Sequence, residues 1–191
     1  MLADERLALA LISWVTTLIA FIAGVLAYPA GSAALLALSF ILVQLSVDTT
    51  FAFRAALGLP ARKNWSVRLQ GIVMIILGAL VCAVVARLFL QGSFPHPRFI
   101  MAVGVLALFA SLVSWAILLK YRGEPADAAS AWRAGRPDVV NSIAVVAAGL
   151  AVALTGSNIP DLVIGGGMAA IFVLSGWRIA ASGRLDAGRP G

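Results

Sequence analysis

Six apolar stretches follow one another along this chain, each close to the length that crosses a bilayer, at 7–27, 33–53, 67–90, 99–119, 138–155 and 160–180. A bilayer core is roughly 30 Å thick, so a spanning helix takes about 20 mostly apolar residues. In lipid every backbone polar group must find its partner within the protein, and a helix satisfies them all locally. The expected fold class is therefore all-α: a polytopic membrane bundle of about six transmembrane helices, in one domain over 1–191.

Composition supports this. Hydrophobic residues make up 62% of the chain and charged residues 12%, against roughly half and a quarter in a soluble domain. One core cannot hide that surplus, so the outer surface must be apolar too, and the bilayer is the expected partner. The net charge of +6 would suggest nucleic acid in a soluble protein. Here the basic residues cluster at the ends of apolar stretches, where they mark topology and meet lipid head groups, and no nucleic-acid partner is expected. The single cysteine, Cys82, lies inside an apolar run and offers neither a disulfide nor a thiolate metal site. Residues Met1 to Arg6 lack the basic patch of a leader, so the first apolar run reads as a retained span.

Orientation follows from the basic residues. With the N-terminus inside, Arg6, Arg54, Arg62, Lys63, Arg68, Lys120, Arg122, Arg133, Arg136, Arg178, Arg184 and Arg189 fall on the inner side; only Arg87 and Arg98 fall outside. Twelve against two predicts both termini in the cytoplasm and a location in the inner (cytoplasmic) membrane.

The breaks carry turn chemistry: Tyr28-Pro29-Ala30-Gly31-Ser32, Gly58-Leu59-Pro60, Gly92 to Pro97, and Gly156 to Pro160. The longest polar link, 120–137, reads as a cytoplasmic loop whose portion 125–134 is helical before Gly135-Arg136-Pro137 interrupts it. About ten residues follow the last span, and no soluble C-terminal domain is expected. No P-loop, dinucleotide fingerprint, metalloprotease helix or nucleophile elbow is present, so no enzyme and no resident cofactor is expected.

Ionisable groups at membrane depth are costly and tend to face the bundle interior. Span 2 carries Gln44, Ser46, Asp48, Thr49 and Thr50; span 5 carries Asp138, Asn141 and Ser142. Span 2 ends, and span 5 begins, on the inner side, which puts Asp48 and Asp138 at similar depth. Leu38, Ile41, Leu45 and Asp48 share one helical face, and Asn141 and Ser142 lie a turn beyond Asp138 on its own side. An inner polar cluster of Asp48, Gln44, Asp138, Asn141 and Ser142 would give an oxygen-rich cation site or a proton relay. Plainer roles stay open. Asp138 can be a first-turn acid favoured by the helix dipole, and Asp48 can pair with Arg136 or Arg54. Gln44 and Asn141 can be interhelical hydrogen-bond glue, and Gly165-Gly166-Gly167 a close-packing stripe. Ser13, Thr16 and Thr17 can bond back to their own helix, and His96 reads as a solvated loop residue.

The stretch 131–180 resembles the last two transmembrane helices of the cation diffusion facilitator (cation efflux) family. The resemblance rests on Arg136-Pro137-Asp138-Val139-Val140-Asn141-Ser142, Leu154-Thr155-Gly156-Ser157 and Ile159-Pro160-Asp161-Leu162-Val163-Ile164-Gly165. Gly31-Ser32-Ala33-Ala34-Leu35-Leu36-Ala37 also resembles the family's entry into its second helix. The resemblance implies export of a divalent metal, as transported substrate, in exchange for protons, and a dimer. It implies metal ligands spaced four apart on spans 2 and 5, matched here by Asp138 and Ser142 on span 5. On span 2 those positions fall on Leu38, Ile41 and Leu45, which cannot ligate, and Asp48 stands one turn nearer the cytoplasm on the same face. The expectation is a displaced, all-oxygen site of Asp48, Asp138, Asn141 and Ser142, better suited to a hard cation or protons than to zinc. The alternative is a transport-inactive homologue that serves as a structural or accessory subunit of a larger membrane complex.

Overall fold

The structure, a computed structural model, describes residues 2–57, 64–119 and 126–185. Six helices follow in order: α1 (Leu2–Ala30), α2 (Ala33–Ala56), α3 (Asn64–Gln91), α4 (Pro97–Leu119), α5 (Ala126–Thr155) and α6 (Ile159–Leu185). Each contains a stretch long and apolar enough to cross a bilayer, and no strand occurs among the described residues. An even number of crossings returns the chain to the side on which it starts. The two ends of the bundle are called here the termini end and the far end.

At the far end each link closes through a glycine in the left-handed region, Gly31, Gly92 and Gly156, with φ of 61°, 70° and 63°. Gly31 follows the last residue of α1 and donates to Tyr28 O at 3.0 Å, while Ser32 N–H donates to Ala27 O at 3.1 Å. This paired closure needs a residue without a Cβ penalty at positive φ. Gly156 closes α5 with a single bond to Val152 O at 2.9 Å.

The span expected at 138–155 is part of a longer helix. α5 begins at Ala126 and runs unbroken through Gly135, Arg136 and Pro137, where local turn signals predict an interruption. Alanine-rich sequence on one side and an apolar span on the other outweigh the one backbone hydrogen bond a proline removes. The Gly58-Leu59-Pro60 break, residues 120–125 and the side chain of Arg136 lie outside the described residues.

The helices pack as two groups joined through α2 and through the contact of α5 with α6. α1 lies on α2 and α4, α4 on α5, and α3 chiefly on α6, while α2 also meets α3, α4, α5 and α6. α2 is accordingly the most enclosed span, with half of its apolar window buried, against 17% for α3. Between helices in lipid there is little hydrophobic drive, so small residues that admit close backbone contact decide where helices touch. A Cβ on Gly71 would lie 2.6 Å from Gly176 O and Ala180 N; one on Gly176 would lie 2.7 Å from Gly71 O. A Cβ on Gly165 would lie 2.7 Å from the carbonyl carbon of Ala33, whereas Gly167 faces open space. Of the three consecutive glycines on α6, only Gly165 therefore marks a tight crossing. Large apolar side chains such as Trp14, Phe21, Ile76, Phe109, Leu150 and Leu174 point outward, as a lipid-facing surface requires.

Candidate functional site

Two polar constructions lie inside the bundle, one at each end. At the far end Asp161, in the first turn of α6, is fully buried. Ser32 Oγ donates to its Oδ1 at 2.5 Å, Ala33 N–H to its Oδ2 at 2.7 Å, and Ala34 N–H to Oδ1 at 3.4 Å. Ser32 Oγ in turn accepts from Leu35 N–H at 3.1 Å. The first N–H groups of a helix lack intrahelical partners and carry partial positive charge. Here a carboxylate from another helix and the hydroxyl of the N-cap serine satisfy them together. Gly165, one turn along α6, is what lets the α2 start come close enough. Sequence reasoning places Asp161 only within a family-like stretch; its role as a cap is a finding of the structure.

The second construction lies in the half nearer the termini. A cavity of about 380 Å³ opens between α2, α3, α5 and α6. Its polar lining comes from Gln44 and Asp48 on α2, Asp138 and Asn141 on α5, and Ser175 on α6. Ile41, Leu45, Met74, Met168 and Phe172 supply apolar walls. The 3.6-residue period explains the selection: Ile41, Leu45 and Asp48 recur on one stripe of α2. Asp138 opens the apolar span of α5 just as α2 is ending its own.

The two carboxylates are held differently. Asp48 Oδ2 accepts from Gln44 Nε2 at 2.9 Å, and its Oδ1 from Gln70 Nε2 at 3.0 Å. Gln44 reaches it from one turn back on α2, and Gln70 from α3, next to the Gly71–Gly176 crossing. Asp138 is only 5% exposed, yet its Oδ2 is buried without a hydrogen-bond partner. Only one other buried side-chain atom among the described residues, Trp115 Nε1, shares that condition. Buried polar atoms are nearly always paired, so such an orphan needs a reason.

Of the five residues expected to form one cluster, Asp48, Gln44, Asp138 and Asn141 line the same cavity. Ser142 does not line it. It is fully buried and its Oγ lies 3.4 Å from Ser111 Oγ on α4, so it serves the α4–α5 contact. Arg54 is exposed. Gln70 and Ser175 are additions that sequence reasoning missed. Among the described residues no group of three or more His, Cys, Asp or Glu side chains is placed to hold a metal ion. A cation in this cavity would therefore rest on two carboxylates supplemented by amide oxygens, a hydroxyl and water.

The remaining hydroxyls knit α1 to α2. Thr16 and Thr17 donate to Ile12 O and Ser13 O of their own helix, as sequence reading allows. Ser13 Oγ also lies 2.8 Å from Thr50 Oγ1, and Thr17 Oγ1 bonds with Ser46 Oγ. His96 is exposed in the α3–α4 link, where its backbone N–H donates to Ala30 O at 3.0 Å.

Fold and site together define the class: a multi-pass, all-α membrane protein with a polar, two-carboxylate cavity inside its bundle. No protein-family profile matches the chain, and no curated protein matches it.

Proposed function

We propose that this protein is a membrane carrier that moves a hard divalent cation in exchange for protons, with Asp48 and Asp138 as the charged ligands. One observation carries the proposal: a buried carboxylate oxygen of Asp138 without a hydrogen-bond partner, on the wall of a cavity that Asp48 also lines. Two carboxylates balance a divalent charge, and carboxylate, amide carbonyl and water donors suit Mg²⁺ or Mn²⁺ better than the His and Cys sets that favour zinc. At roughly 30 Å³ per liquid water, the cavity also has room for a cation that keeps part of its hydration shell, as Mg²⁺ does. When the cation leaves, a proton is its simplest replacement on an acid that would otherwise stay charged, buried and unpaired.

The resemblance of 131–180 to cation efflux helices agrees with this reading. The bias of basic residues toward the termini end supports cytoplasmic termini and a cytoplasmic-half position for the cavity. Direct calorimetry of the purified full chain in mild detergent tests the proposal. Mn²⁺ should give saturable heat near one ion per chain, absent in the Asp48→Asn/Asp138→Asn pair. No saturable heat, or heat indifferent to that pair, overturns it. Stoichiometric copurification with another membrane subunit and no cation binding would instead favour an accessory role.

Gln70 provides a sharper check. Outer hydrogen-bond partners of metal-binding carboxylates typically matter by about 10–100-fold in affinity. Gln70→Leu should weaken Mn²⁺ binding within that range, with only a modest fall in unfolding temperature, because Asp48 is half-buried and keeps its Gln44 donor. Unaltered affinity would deny Gln70 this positioning role while leaving the proposed site standing.

A further inference from the structure

A furrow of about 230 Å³ lies at the far end, between the last turns of α1 and α3 and over the start of α2. α1 packs on α2 and α4, and α3 chiefly on α6, which leaves the space between α1 and α3 open toward the bilayer. Its walls are apolar and partly small: Gly24, Ala27, Leu36, Val84 and Leu88. Its rim is polar: Tyr28, Arg87 and Gln91. Tyr28 is 89% exposed, an amphipathic ring of the kind that collects at head-group level.

Arg87 is the unusual member of this set. It lies one turn before the end of α3, in a candidate span of 27 residues. At 1.5 Å per residue that span is roughly 40 Å long, beyond the ~30 Å hydrocarbon core, so its last turn stands at the depth of lipid phosphates. Guanidinium stays charged and seeks a planar, bidentate anion. Its Nε donates to Gln91 Oε1 at 3.0 Å, which leaves both Nη groups for another acceptor. Three carboxylates have described side chains. Asp48 and Asp138 line the other cavity, and Asp161 is fully buried and engaged by Ser32, Ala33 and Ala34.

We propose that the furrow binds one glycerophospholipid, its phosphate on Arg87 at the Tyr28–Gln91 rim and an acyl chain along the apolar wall. Charge complementarity selects this occupant: a cation at phosphate depth stands directly above an apolar furrow that opens sideways into lipid. The lipid would seat against Gly31 and Ser32, which border the furrow and join α1 to α2. The proposal does not depend on cation transport.

Native mass spectrometry of the full chain, released from mild detergent and titrated with phosphatidylglycerol, tests it. One tightly retained lipid per chain is expected. Arg87→Ala should weaken retention on the order of tenfold, the value of one charge-assisted contact. Val84→Phe, which adds bulk to the furrow wall from α3 and leaves Arg87 in place, should weaken it as much. Diacylglycerol with the same chains should bind at the level of the Arg87→Ala variant, and inorganic phosphate should not compete. Equal retention of phosphatidylglycerol by wild type and both variants overturns the proposal. So does equal retention of diacylglycerol, competition by phosphate, or protection of the furrow by a second copy of the chain instead of lipid. Thermal unfolding of both variants close to wild type shows that any loss of lipid is not a loss of fold.

Discussion

Asp161→Ala is expected to cost about 3–5 kcal/mol of stability, the range for removing one partner of a buried charged arrangement. The carboxylate accepts three hydrogen bonds at the start of α2. Without it, the N–H groups of Ala33 and Ala34 and the Ser32 hydroxyl remain inside the bundle with nothing to accept them. Each buried, unpaired donor costs about 1–3 kcal/mol. Water cannot readily substitute, because Gly165 holds the two backbones together at this point. Asp161→Asn should recover part of the loss, since an amide oxygen accepts but carries no charge for the helix dipole. Ser32→Ala should cost about 1–2 kcal/mol, the usual effect of losing an N-cap. Tryptophan fluorescence during thermal unfolding in mild detergent checks the order: Asp161→Ala worst, then Asp161→Asn and Ser32→Ala. If Asp161→Ala unfolds with the wild type, the cap is not what joins α6 to α2.

Asp138→Asn is expected to do the reverse, removing function while sparing the fold. The native carboxylate already leaves Oδ2 without a partner, so replacing an acid with a neutral amide of the same shape breaks no hydrogen bond at that atom and removes a buried ionisable group. Stability should hold or rise. Cation affinity should fall by more than about a hundredfold, beyond the 10–100-fold range of outer partners such as Gln70, because half of the formal charge of the site is lost. Groups retained for activity at the expense of stability behave this way. A variant that loses stability and keeps affinity would identify Asp138 as a structural first-turn acid, the plainer role open to it from sequence.

Much of this architecture is legible in the chain because lipid imposes strong local rules. An apolar run long enough to cross the bilayer must pair its own backbone, so all six spans could be read directly. That Asp48 and Asp138 line one cavity is also readable, because alternating helix direction fixes depth and the helical period fixes the face. What escaped was set by tertiary contact. Asp161 and Ser32 are 129 positions apart, and nothing near either residue announces the other. Gln70 sits near the start of α3, where a polar residue reads as an ordinary helix end; only the packing of α3 beside α2 turns it toward Asp48. Ser142 shares the side of Asp138 by spacing, but α4 lies close enough for Ser111 to meet its hydroxyl. At Gly135-Arg136-Pro137 a sound local rule yields to the helical flanks on both sides.

If acids from α2 and α5 form one cation site, a structure of the full chain soaked with Mn²⁺ will reveal it by anomalous signal. A single peak is expected in the cavity, within about 2.0–2.6 Å of a carboxylate oxygen from both Asp48 and Asp138, the range for hard divalent cations. A cavity without a peak at saturating Mn²⁺, or a peak held by only one of the two acids, would contradict it.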